Sequence, residues 1–140
     1  MIDKKSGNLT LGNINTISPT TTLSEIKAFK LSEVEEESDL GNGWIHYTLR
    51  NVEESGKFFN LIFFFYKENL ESVSFVVKDS PFNLNSGWDS WSEKTEREKA
   101  VTYNNWLNKE IGTGRSFSWG DAWATYDPKS GGSSMGIRYK

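Results

Sequence analysis

The spacing of apolar and polar residues lays out a series of strands and two helices. Leu9 and Leu11 fall on one face of a short strand within Asn8–Asn13, which Gly12-Asn13 closes. Ser18-Pro19 predicts a turn. Thr22-Leu23-Ser24-Glu25 then fits a capping box, in which a hydroxyl and a carboxylate satisfy free backbone donors at a helix start. Leu23, Ile26 and Phe29 follow at a spacing near 3.6, which predicts a short amphipathic helix to about Leu31. Five acids, Glu33, Glu35, Glu36, Glu37 and Asp39, fill the next stretch, and Gly41-Asn42-Gly43 breaks the chain.

Three strands follow. In Trp44–Arg50, Ile45, Tyr47 and Leu49 stand opposite Trp44, His46 and Thr48. Glu53-Glu54-Ser55-Gly56 predicts a hairpin turn into Phe58–Tyr66, which is apolar on both faces and therefore reads as a central strand covered on both sides. Lys67-Glu68-Asn69 turns the chain again. From Leu70 to Lys78, Val73, Phe75 and Val77 alternate with Ser72 and Ser74, completing an antiparallel meander. Pro81–Gly87 is a polar loop. Ser90-Trp91-Ser92-Glu93 fits a second capping box, opening a helix to about Ile111 with Ala100, Tyr103, Leu107 and Ile111 as its stripe. Gly112 and Gly114 stop it. A last hairpin pairs Ser116–Tyr126 with Ser134–Tyr139. The pattern predicts one α+β domain over residues 1–140, with a disordered start at residues 1–7. Its single antiparallel sheet has about five or six strands, with two helices packed on it.

Composition narrows what this fold can do. There is no cysteine, so thiol catalysis, disulfides and cysteine-ligated zinc are excluded. Aromatic residues make up 14% of the chain, enough for a substantial core. Against 16 basic residues stand 19 acidic ones, without the basic excess that binding nucleic-acid phosphates requires. The longest apolar run, Leu61–Tyr66, has the length of a strand and not of a membrane span. Ile2-Asp3-Lys4-Lys5-Ser6-Gly7 lacks an apolar signal core, so a cytoplasmic protein is expected.

Candidate chemistry is sparse. His46 is the only histidine and has no nominated carboxylate or serine partner; a strand histidine facing solvent or a polar neighbour is expected. Asp89 between Trp88 and Trp91 has the look of a sugar site, yet a carboxylate just before a helix also meets the helix dipole. Gly112-Thr113-Gly114 lacks the helix and lysine of a phosphate cradle. No catalytic, cofactor or metal residue emerges. Glu35, Glu36, Glu37 and Asp39 read either as a solvated mobile connector or as a surface for a basic partner. Trp44, Trp106, Trp119 and Trp123 are expected in the core. Trp88 and Trp91 either cap the core or stand exposed as binding anchors.

An ordered set of motifs closes the chain: Trp88-Asp89-Ser90-Trp91-Ser92-Glu93, Tyr103-Asn104-Asn105-Trp106-Leu107, Ser118-Trp119-Gly120, Tyr126-Asp127-Pro128-Lys129-Ser130-Gly131 and Ile137-Arg138-Tyr139. In this set, and in Leu9-Thr10-Leu11-Gly12 with the meander, the chain is similar to a group of short bacterial proteins. Some of that group look like immunity partners of polymorphic toxins. The resemblance implies a non-enzymatic protein that binds a toxin, and it carries over no catalytic residues; the acidic balance of the chain makes a toxin with a basic surface the expected partner. A different expectation is a small carbohydrate- or peptide-binding module using exposed tryptophans. A third is a small carboxylate hydrolase.

With no cysteine and one histidine, folding should need no metal. Thermal denaturation with and without a strong chelator should give superimposable curves; a marked loss of stability on chelation would contradict this.

Overall fold

The computed structural model describes residues 1–12, 15–82 and 92–140. Its elements in chain order are β1 (Leu9–Leu11), β2 (Asn15–Ile17), α1 (Leu23–Phe29), β3 (Val34–Asp39), β4 (Trp44–Glu54), β5 (Lys57–Tyr66), β6 (Asn69–Lys78), α2 (Glu93–Ile111), β7 (Ser116–Phe117), β8 (Gly120–Asp127) and β9 (Gly132–Tyr139). Among the described residues, β1 and β2 form a separate ribbon. The other strands form one antiparallel seven-stranded sheet in the order β3-β4-β5-β6-β9-β8-β7. The α+β class agrees with the expectation, and the strand number exceeds it.

Three segments account for the extra strands, and the single sheet expected is two, because the first predicted strand pairs with β2 (Asn15–Ile17) and not with the meander. The acidic stretch is the edge strand β3, paired with β4 from Val34↔Arg50 to Asp39↔Ile45, and not a mobile connector. The expected strand Ser116–Tyr126 is broken at Ser118-Trp119 into β7 and β8, which pair with each other. Gly120 allows this break. A Cβ there would lie 1.9 Å from the Arg138 carbonyl oxygen, so only glycine lets β8 start so close to β9.

The meander is held by tight turns. Ser55 and Gly56 both have positive φ (53° and 78°), as do Lys67 and Glu68 (46° and 74°). Two successive positive φ values match the twist of antiparallel strands, which is why two-residue turns suffice. Strand β4 runs four residues past Arg50 because of a bulge at Asn51 (φ 51°). The bulge resets the phase, so that Tyr47, Leu49 and Val52 are all buried on one side despite their uneven spacing. Asn51 is itself tied down. Its backbone N–H donates to Asn60 Oδ1, and its side chain exchanges hydrogen bonds with both backbone groups of Phe82.

Both helices lie against the same face of the sheet. Thr22 and Glu25 form the expected capping box of α1, and Ile26 is its buried residue. Helix α2 is capped by Ser92, whose hydroxyl accepts from the Thr95 N–H. Its first residue is thus Glu93, later than a box opening at Ser90 would give, and Ser90 lies outside the described residues. Tyr103, Leu107 and Ile111 are buried where α2 crosses β8 and β9, and Asn104 donates to the Ala124 carbonyl. The ribbon's Leu9, Leu11 and Ile17 join the same core. Residues 1–7 carry specific contacts: Ile2 is buried, the α-amino group lies 2.7 Å from Glu110, and Tyr139 Oη donates to the Gly7 carbonyl.

With every covering element among the described residues on one side, the sheet is buried asymmetrically. In β5, Phe59, Leu61, Phe63 and Phe65 are buried, whereas Phe58, Asn60, Ile62, Phe64 and Tyr66 are half-buried. The strand is central as expected, but among the described residues only one of its faces is covered. No helix among them is long and apolar enough to cross a membrane.

Phe63→Ala should destabilise the protein by about 3–5 kcal/mol in urea denaturation, through lost burial and the residual cavity; a near-neutral effect would mean the face is not packed. Burial also raises the Tyr47 and Tyr139 phenols, and pushes Tyr103 up to about 12 with Glu96 adding to it. These phenols must stay neutral in the folded state. Their contribution is therefore complete below the ordinary tyrosine range near ~10 and is lost as pH rises through the folded values. Stability against urea should hold to about pH 9 and fall steeply from there to about 12. Phenolate absorbance from all three rings rising near pH ~10 in the folded protein would contradict the packing.

Candidate functional site

Alternation within strands sorts the side chains of the uncovered face. On β4, Trp44, His46 and Thr48 point away from buried Tyr47 and Leu49; on β6, Ser72 and Ser74 point away from buried Val73 and Phe75. Register brings Trp44 beside Tyr66, His46 beside Phe64, and Phe64 beside Ser72. Trp123 on β8 stands opposite Gly136 on β9, which in turn pairs with Ser74. The result is an open trough of about 500 Å³ walled by Leu40, Trp44, Phe64 and Trp123, with His46, Ser72 and Ser74 between them.

Ring contacts fix the walls. Trp44 and Tyr66 lie with centroids 5.0 Å apart, and His46 meets Phe64 edge-on at 4.5 Å. The Trp123 indole N–H donates to Ser134 Oγ at 3.3 Å, and its ring lies over Gly136, where a Cβ would come within 2.5 Å of it. The floor is low because serines and a glycine occupy it. A charge pair flanks each side: Arg50–Glu36 at 3.7 Å and Arg138–Asp121 at 2.6 Å. A smaller hollow continues past Trp123 to Asp121 and Arg138. His46 stands half-buried on this uncovered side, as a strand histidine facing solvent would, and meets Phe64 edge-on as well.

The acidic residues do not form one patch. Glu35, Glu37 and Asp39 pair with Leu49, Tyr47 and Ile45 and so share the helix-covered side, whereas Glu36 pairs with Thr48 on the open side. Tyr47 Oη donates to Glu35 at 2.5 Å, and burial with this bond holds the phenol well above its ordinary range. Lys27 of α1 lies 2.5 Å from Glu37 and sits over the Tyr47 ring. Asp39 accepts from the Gly41 N–H at 2.9 Å. Part of this charge is therefore structural, tying the edge strand to α1 and β4. Charge along an edge strand also prevents pairing with stray chains.

The tryptophans divide differently from the expectation. Trp106 packs edge-on against Phe59 and Phe75, and Trp119 stacks on Phe117, so both adjoin the core. Trp44 and Trp123 belong to the open face instead, because each is out of phase with its strand's buried residues. That phase was visible in the sequence at Trp44, opposite Ile45, Tyr47 and Leu49. Trp88, Trp91 and Asp89 lie outside the described residues. Among the described residues no group of three or more histidine or acidic side chains is placed to hold a metal ion. Gly112 serves as the cap of α2.

No family model matches the chain, and no curated protein matches it in sequence. A solved structure does match in shape. One chain of a complex described as Rhs1-CT in complex with cognate immunity protein RhsI1 superposes with a TM-score of 0.58. The match covers 99% of this chain and 86% of that one, at 18% identity, and shows a shared fold.

Separating the roles of the acids gives a test. Tyr47→Phe removes a hydrogen bond to a carboxylate and should cost about 1–2 kcal/mol in urea denaturation. Glu36→Gln, at an exposed pair, should stay within about 0.5 kcal/mol. Equal effects would mean that the Tyr47–Glu35 bond does not anchor the edge strand.

Proposed function

We propose that this is a non-enzymatic binding protein of the immunity type, acting in the cytoplasm by direct binding to a cognate bacterial toxin. The observation that carries the reading is the fold shared, over nearly the whole chain, with a chain of a complex built around an immunity protein. The motifs quoted above for short bacterial immunity-like proteins support it independently. So does the architecture, a rigid sheet buttressed on one side and presenting an aromatic trough beside an acidic edge. Fold alone does not carry function, so the local surface matters to the argument.

The acidic edge suits a partner with a basic surface. Glu36, Glu37 and Asp39 are exposed. Charges of this kind act chiefly on the rate of encounter and on register, and salt screens them. A second reading, a small ligand-binding module, is favoured by the trough itself, where indole walls and serine hydroxyls converge as in sugar sites.

The gene immediately upstream should encode a toxic domain; co-expressing this chain with it should restore growth, and the two proteins should co-elute in size-exclusion chromatography. No complex and no rescue would contradict the proposal. In the complex, neutralising Glu36, Glu37 and Asp39 together should slow association about tenfold at low salt and much less at high salt. Unchanged association at both salts would remove the edge from the encounter.

A further inference from the structure

The turn between β3 and β4 carries a reactive pair. Asn42-Gly43 is the only Asn-Gly pair in the chain, and each residue answers a demand of the turn. Gly43 has φ 96°, in the region that favours glycine, and a Cβ there would come within 3.2 Å of the Tyr66 ring. Asn42 Oδ1 accepts the Trp44 N–H at 3.2 Å, the two-residue reach by which asparagine side chains close turns. Meeting both demands sets a carboxamide next to a peptide nitrogen that no side chain shields. Residues 41–43 are exposed, and a Cβ added at Gly41 would meet nothing within 4 Å. Among the described residues nothing accepts the Gly43 N–H. The Trp44 N–H meanwhile points at the carboxamide oxygen. There it polarises Cγ and stabilises the negative charge that this oxygen gains when Cγ is attacked.

We propose that Asn42 is a site of spontaneous deamidation. The Gly43 nitrogen gives up its proton to solvent and bonds to Asn42 Cγ. The Cγ–Nδ2 bond then breaks, and the amide nitrogen takes up a proton and leaves as ammonia. Water opens the resulting five-membered imide. Opening at Cγ gives an aspartate at position 42, whereas opening at the backbone carbonyl carbon gives an isoaspartate, whose main chain runs through Cβ and Cγ. The two products act differently on the turn. Aspartate keeps an oxygen that can accept the Trp44 N–H. Isoaspartate adds a backbone carbon inside the loop closed by the Leu40 N–H to Trp44 carbonyl bond (3.0 Å), and beside the Lys67 N–H to Gly43 carbonyl bond (2.9 Å). Asp39↔Ile45, the last pair of β3 with β4, adjoins that loop. The isoaspartyl form therefore loosens the end of the edge strand, and both forms add a carboxylate near exposed Asp39. The reaction needs only water and is independent of what the protein binds.

The test incubates the folded full chain at mildly alkaline pH and follows deamidation by peptide mass mapping, with fragmentation that separates aspartyl from isoaspartyl peptides. The peptide holding Asn42 should convert about tenfold faster than those holding Asn51, Asn60 and Asn104, whose side chains are held by hydrogen bonds within the fold. Asn42→Asp removes the amide and keeps the acceptor, so it should abolish this early change. In urea, where the Trp44 N–H contact is lost, the Asn42 peptide should convert no faster than in the folded chain. In hydrogen exchange the separated isoaspartyl form should exchange faster than the unaltered chain across β3 and equally across β5. Conversion at Asn42 no faster than at Asn51, or confined to the urea-unfolded chain, overturns the proposal. So does an isoaspartyl form whose β3 exchanges like that of the unaltered chain.

Discussion

One-sided burial of the seven-stranded sheet is the constraint on which the rest of the structure depends. α1, α2 and the N-terminal ribbon all pack against the face that carries Phe59, Leu61, Phe63 and Phe65. That face gathers the fully buried large side chains and supplies the hydrophobic stabilisation. Every other feature follows from keeping apolar side chains in phase on it. The bulge at Asn51 is one such device, since without it Val52 would point away from the helices. The tight turns at Ser55-Gly56 and Lys67-Glu68 hold the same phase between neighbouring strands.

Among the described residues no element packs on the opposite face, which mixes large rings with small polar residues. Rings on it touch one another, as Trp44 does Tyr66 and His46 does Phe64, while small residues occupy the middle. The acidic edge connects the two sides: Glu35 and Glu37 bind back to Tyr47 and Lys27, and Glu36 faces the open side. A strand composed largely of carboxylates is kept in the sheet by its pairing with β4 and by these few contacts. Sequence propensity alone does not favour it.

What could be read from sequence was what local chemistry decides. The capping box of α1 needs only Thr22 and Glu25, and it forms as expected. The alternation in β6 and the stripe of α2 likewise place Val73, Phe75, Tyr103 and Leu107 in the core. Features set by distant partners were not legible. β3 is a strand because β4 extends far enough to pair with it, and nothing in Glu35-Glu36-Glu37 announces that. Phe58–Tyr66 is apolar on both faces, so its pattern locates a central strand without revealing which side is covered. Trp44 and Trp123 were misplaced because residue type outweighed phase: a large aromatic suggests a core, although alternation set Trp44 on the other face. The start of α2 shows a finer limit: the expected box opened at Ser90, whereas the Ser92 hydroxyl accepts from the Thr95 N–H and starts the helix at Glu93.

The account predicts a protein in which, among the described residues, one sheet face is packed and the other is left open. Paramagnetic relaxation of side-chain resonances by a soluble gadolinium chelate tests this most directly. In the free protein the Trp44, Phe64 and Trp123 rings should relax strongly while Phe59, Phe63 and Tyr103 stay shielded. Shielding of Trp44, Phe64 and Trp123 already in the free protein would contradict the account, because that face would then be covered without any partner.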